Sequence, residues 1–157
     1  MHSLLLLRHA KSDWSTSASD HERPLNARGV KNVPFMAKRL KEHGYRPDMI
    51  ISSSALRAKS TAEVFADILE CELLIDRELY DASEKRIMDL VRKTDEKVKD
   101  LMLVGHNPTW ENLAEGLSGE KVRMPTCSVV QIAFDCLWKE IKKGEMIHYD
   151  YPKNRKS

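Results

Sequence analysis

Ser3-Leu4-Leu5-Leu6-Leu7-Arg8-His9, at the start of the 157-residue chain, decides the reading of the fold. Four consecutive leucines are too few for a membrane span, and they have neither the basic leader nor the apolar length of a secretion signal. They also lack the polar alternation of a strand with one wet face. A short unbroken apolar run of this kind reads as a strand buried on both sides, which is the habit of parallel sheets covered by helices. The strand ends by presenting Arg8 and His9.

The same signature recurs along the chain. Met49-Ile50-Ile51 runs into Ser52-Ser53-Ser54, and Leu101-Met102-Leu103-Val104 runs into Gly105-His106-Asn107-Pro108. Between these runs lie segments of helical period. Val30, Val33, Met36, Ala37 and Leu40 recur at spacings of three and four behind Asn26 as N-cap, with a kink expected at Pro34 and a stop at Gly44. Leu56 to Leu69 is amphipathic, Glu84 to Arg92 carries Ile87, Leu90 and Val91 behind Ser83, and a helix containing Trp110, Leu113 and Leu117 stops at Gly119. Cys71 to Ile75 reads as a short strand. Ser128 to Phe134 and Glu145 to Tyr149 read as late strands forming an antiparallel edge, joined by a turn or short loop over Cys136 to Lys143. The expected architecture is α/β, a three-layer α/β/α sandwich with a mostly parallel central sheet and an antiparallel edge strand.

Composition bounds the rest. One domain over 1–152 with a short basic tail, Lys153 to Ser157, accounts for the length. Lys plus Arg exceed Asp plus Glu by only two, so bulk charge argues against a nucleic-acid partner, and no apolar run is long enough for a membrane. Three cysteines, Cys71, Cys127 and Cys136, are odd in number and lack Cys-x-x-Cys spacing. They fit a reducing, cytoplasmic setting better than a disulfide framework or a thiolate zinc site.

Open α/β sheets bind ligands at the carboxyl ends of their strands, so the residues after each apolar run are the candidates. These are Arg8 and His9 after the first, Ser52 and Ser53 after the second with Arg57 one helical turn on, and His106 and Asn107 after the later one. Guanidinium forks match phosphate oxygens and stay charged, helix N-termini favour anions, and a neutral imidazole is a competent nucleophile near pH 7. A phosphoryl group is the expected ligand, with His9 and His106 dividing attack and proton donation. A metal at His9 and His106 is not expected, because Arg8 would repel a cation and no carboxylate cluster or His-x-x-x-His accompanies them. His21, His43 and His148 read as satisfied polar residues, and His2 as part of a frayed terminus.

At these residues the chain resembles a known family. Leu-Leu-Arg8-His9-Ala10-Lys11-Ser12, Glu22-Arg23-Pro24-Leu25-Asn26-Ala27-Arg28-Gly29, Ser52-Ser53-Ser54-Ala55-Leu56-Arg57-Ala58 with Thr61, and Val104-Gly105-His106-Asn107-Pro108 together resemble the histidine phosphatase, or phosphoglycerate mutase-like, superfamily. Within it the chain is most similar to the SixA-type phosphohistidine phosphatases. The resemblance implies a phosphoglycerate mutase-like fold and a cofactor-free, metal-independent phosphatase. His9 would be the nucleophile, passing through a covalent phosphohistidine. Arg8, Arg57 and His106 would complete the phosphate pocket, with Ser53 and Asn107 adding hydrogen bonds and Ser12 close by, these three serving equally well as turn and cap residues.

The chain departs from the family pattern at Ala10, where glycine is common, at Ser54 in place of a proline, and at Ser60 in place of a glutamine. Asp81, in Glu78-Leu79-Tyr80-Asp81, is the nearest match to the acid that protonates ester leaving groups. Only 48 residues separate Arg57 from His106, too few for the helical cap of metabolite-processing members, so an open site is expected. That favours phosphohistidine on a protein; the alternatives are a small phosphoester or a non-catalytic phosphoprotein-binding module. Trp14 and Trp110 are candidates for an aromatic docking rim, or equally for core.

Overall fold

The computed structural model describes residues 1–154. β1 (His2–Arg8) is followed by α1 (Ala27–Glu42), β2 (Met49–Ser53), α2 (Leu56–Leu69), β3 (Leu73–Asp76) and a 3-10 turn, Arg77–Leu79. Next come α3 (Glu84–Arg92), β4 (Asp100–Gly105), α4 (Thr109–Ser118), β5 (Val129–Phe134), a 3-10 turn at Trp138–Glu140 and β6 (Glu145–Asp150). The six strands form one sheet in the order β3-β2-β4-β1-β5-β6. β3, β2, β4 and β1 are parallel, whereas β5 runs against β1 and β6 against β5.

The leucine run shows why the layers form. Leu5 and Leu7 pack with Met102, Val104 and the inner faces of α1 and α2. Leu4 and Leu6 pack with Leu101, Leu103 and residues of α3 and α4. Successive side chains of a strand point to opposite faces, so an all-leucine strand requires a helix layer on each side. All four leucines are fully buried, each contributing about 2 kcal/mol of transfer free energy. The three-layer sandwich expected from the sequence is therefore the observed one.

The helices start and stop largely as their sequences dictate. Asn26 Oδ1 accepts from Gly29 N at the start of α1, and Ser83 Oγ accepts from Arg86 N at the start of α3. Gly119 takes the left-handed conformation that closes α4. α1 continues through Pro34 to Glu42. Its buried face is Val33, Met36, Ala37 and Leu40, while Val30, expected on that face, is 61% exposed.

Two further expectations are corrected. His2 is not part of a frayed end: it begins β1, is buried, bonds Cys136 O through Nδ1 at 2.9 Å and packs its ring against Trp138. The segment from Cys136 to Lys143 is more than a turn, because its 3-10 element buries Trp138 completely and directs the indole N–H to Val98 O. At the other terminus Arg39 pairs with Asp150 and donates to Asn154 O, holding the chain against α1 as far as Asn154. Residues 155–157 of the basic tail lie outside the described residues.

Candidate active site

β1, β2 and β4 end side by side, since Arg8 is in register with Gly105 and Ser52 with Val104. This is the reversal point of the strand order, where an open sheet leaves a crevice. His9 N donates to Gly105 O at 3.1 Å, fixing the residue after β1 against the end of β4. The rings of His9 and His106 stand 5.2 Å apart between centroids. His106, Arg57, Asp20, Tyr80 and Asp81 line a cavity of about 340 Å³ that opens to solvent.

The tautomer of His9 follows from its partner. Nδ1 lies 2.7 Å from Ala10 O, and a carbonyl can only accept, so Nδ1 carries the proton and Nε2 keeps a lone pair. Burial foremost, then the cationic neighbours, hold its pKa down at about 3. His106 is lowered to about 4, again chiefly by burial and next by Arg57. Both rings are thus neutral at pH 7 in the unliganded protein.

The surrounding donors exceed the available acceptors. Arg8 Nη1 donates to Met124 O, and Arg57 donates to Asp20 O and Oδ2, yet Nε of each guanidinium is buried without a partner. Arg23 Nε and Nη1 and His106 Nδ1 are also buried and unpartnered. Five of the seven buried, unpartnered side-chain N and O atoms among the described residues belong to these four side chains. Such groups cost free energy unless a ligand satisfies them, and for the three guanidinium groups, which can only donate, the missing partner is an acceptor. Arg8, Arg23, Arg57 and His106 could together hold an anion.

Two expected phosphate ligands are already engaged within the protein. Ser53 Oγ accepts from Ala55 N and lies 2.8 Å from His106 Nε2, so it orients that ring. Asn107 Nδ2 donates to Met124 O and its Oδ1 accepts from Glu111 N, which is the duty of a helix cap. Ser12 is buried and forms an isolated bridge to Leu25. Trp110 is core, with its indole N–H on Leu103 O, and therefore cannot serve a docking rim. Trp14 is 79% exposed, with the Arg23 guanidinium 3.5 Å above its ring.

The family model for the histidine phosphatase superfamily (branch 1) matches residues 4–135. The chain belongs to that superfamily. Among solved structures, this superfamily member is similar to SixA of Agrobacterium tumefaciens, described as a candidate phosphohistidine phosphatase, with 29% identity, 96% and 98% of the two chains covered and a TM-score of 0.86. An uncharacterised chloroplastic protein of Arabidopsis thaliana is 29% identical over 150 residues, 87% of this chain and 69% of the relative. A candidate phosphoglycerate mutase, GpmB of Escherichia coli, is 29% identical over 107 residues, 64% of this chain and 49% of its own length. The fold is phosphoglycerate mutase-like.

Sequence reasoning placed Arg23 only within a motif and did not reach Asp20 or Tyr80. Asp20 is an exposed carboxylate that accepts from Tyr80 O–H at 2.6 Å and pairs with Arg57 and Arg23. The Tyr80 bond and then the two guanidinium groups hold it below the usual carboxylate range, so it is ionised and occupies Arg57 in the unliganded superfamily member. Nothing in Ser19-Asp20-His21 marks this role, because the loop has no periodicity and its partners lie up to 60 residues away.

Gly105 positions His106 by having no side chain. A Cβ there would stand 2.2 Å from the Trp110 ring. Gly105→Ala is expected to cost about 1–3 kcal/mol in urea unfolding and to lower turnover by displacing His106. Unchanged stability and turnover would show that the indole yields freely.

Proposed function

We propose that the protein is a phosphatase that removes the phosphoryl group from phosphohistidine on a protein, through a covalent phosphohistidine at His9. The observation carrying this reading is the set of unsatisfied buried donors on Arg8, Arg23 and Arg57, with the unpartnered His106 Nδ1, beside an unprotonated His9 Nε2. The superfamily and the likeness to SixA support phosphatase activity. Four cationic or potentially cationic side chains supply the charge that a metal would otherwise bring, so turnover is expected to be metal-independent. The three free thiols suit a cytoplasmic setting.

His9 Nε2 attacks phosphorus as the P–N bond to the substrate imidazole breaks, and that imidazole leaves with a proton taken from solvent water at the open side of the cavity. Arg8 and Arg57 hold the equatorial oxygens, the latter after the oxyanion displaces the Asp20 carboxylate. A bound dianion raises the pKa of His106 from its low resting value, so that the protonated ring can donate through Nδ1 while Ser53 holds Nε2. Water then attacks the phosphoenzyme, breaking the Nε2–P bond and releasing inorganic phosphate. Asp81 lines the same cavity and is the candidate proton donor for ester leaving groups.

In chelator, the purified protein is expected to hydrolyse a phosphohistidine protein faster than a panel of phosphoesters. Likeness to GpmB favours a second reading, a small phosphoester substrate, which rapid sugar phosphate turnover would establish instead. Phosphate binding without turnover of any substrate would indicate a phosphoprotein-binding module.

A further inference from the structure

A second cleft, of about 610 Å³ and sharing no lining residue with the cavity of Arg57, Asp20 and His106, carries Lys11, Arg28, Lys31 and Lys153 beside Tyr151 and Pro125. Among the described residues no acidic one lines it and none of the four cations is ion-paired. With a net charge of only +2 for the whole chain, this is a local concentration of charge. Arg28 and Lys31 also stand at the start of α1, whose first turn contains no acid. A helix N-terminus favours carboxylates, so cations there oppose the dipole, and a bound anion would relieve both it and the mutual repulsion of the cations.

The cleft is joined to the catalytic pocket through two loops. Lys11 follows His9 by two residues, which limits their Cα separation to about 7 Å. Pro125 follows Met124, whose carbonyl receives Arg8 Nη1, and Cys127 N donates to both Arg8 O and His9 O. A chain whose phosphorylated residue sits at His9 can therefore reach this cleft within a few residues. The four cations are exposed, and the Tyr151 ring and Pro125 offer an apolar wall to an extended segment.

We propose that this cleft docks an acidic segment flanking the phosphohistidine of the substrate protein and so selects among phosphoproteins. The inference rests on the phosphatase reading above. Docking of this kind acts on encounter and retention, hence on KM, and leaves the chemistry at His9 unchanged.

The test compares two phosphohistidine peptides, one flanked by glutamates and one by serine and glycine. Wild-type protein is expected to favour the acidic peptide about tenfold in kcat/KM, through KM, with the advantage shrinking as salt rises from about 0.05 to about 0.5 M. The variant Arg28→Glu/Lys31→Glu/Lys153→Glu alters exposed positions outside the catalytic machinery. It should lose that preference while hydrolysing the neutral peptide at the wild-type rate. Equal use of both peptides by the wild type, or a preference that survives in the variant, would overturn the proposal. If neither peptide is hydrolysed, the phosphatase reading fails. Fluorescence anisotropy of the labelled, unphosphorylated glutamate peptide then decides for the cleft: binding lost in the variant upholds it, and no binding to the wild type overturns it.

Discussion

His9→Ala is expected to lower kcat by about 10⁴-fold or more while the protein remains folded. The ring gives the native state one hydrogen bond, from Nδ1 to Ala10 O, so its loss is tolerable for the fold. For the chemistry it is not. His106 Nε2 is engaged with Ser53 Oγ, and the arginines stay protonated, so no neighbouring group replaces the lone pair of His9 Nε2. Wild-type protein quenched during turnover should carry an acid-labile, base-stable phosphoryl label that the variant lacks. The variant should still bind a tetrahedral oxyanion, because Arg8, Arg57 and Arg23 are untouched. More than about 1% residual turnover, or a label on another residue, would remove His9 from the nucleophile's role.

Acidification is expected to destabilise the unliganded protein well above the range in which its carboxylates titrate. In the unfolded chain His9 and His106 titrate near 6.5; in the native protein burial, as the largest influence, holds them to about 3 and about 4. Between pH 6.5 and about 4 the unfolded state therefore binds protons that the native state refuses. Stability rises with pH in that window, by up to about 1.4 kcal/mol per pH unit for each histidine, and above pH 7 the two contribute no slope. Urea midpoints at pH 7, 6 and 5 should fall steeply for the wild type and less steeply for His9→Gln/His106→Gln. Inorganic phosphate should flatten the wild-type curve, since an anion stabilises the charged rings. Equal slopes for the two proteins would mean that the histidines are not held neutral by burial.

Both expectations depend on an arrangement whose scaffold was readable and whose wiring was not. Leu4 to Leu7 and Leu101 to Val104 have no polar interruption, so they had to be buried on both faces, and the residues after them had to emerge at one rim. Arg8, His9, Arg57 and His106 were legible for that reason. For Ser53 and Asn107 the sequence left a ligand and a turn or cap duty equally open, because whether a hydroxyl or amide meets a ligand or a neighbouring ring depends on which chain lies opposite. Ser53 meets His106 and Asn107 meets Met124, both across loops.

His2 and Trp110 show the same boundary. Next to the terminus His2 looked frayed, yet β5 pairs with β1 and leads into the segment that brings Trp138 against its ring. Trp110 looked as suited to a rim as to a core until Gly105, without a Cβ, let its indole lie under the end of β4. Asp20 and Tyr80 carry no local pattern and Arg23 only its place in a motif, and the three meet only because two loops converge on Arg57.

The sequence alone determined the layers, the strand ends and the four basic residues presented there, because burial on one or both faces of an element imposes a short-range periodicity on its side chains. The tertiary structure decided the tautomer of His9, the engagement of Arg57 by Asp20, the unsatisfied donors and the basic cleft beside them. These depend on atoms brought together by loops, whose paths are set by what they pack against and not by any repeat in their own residues.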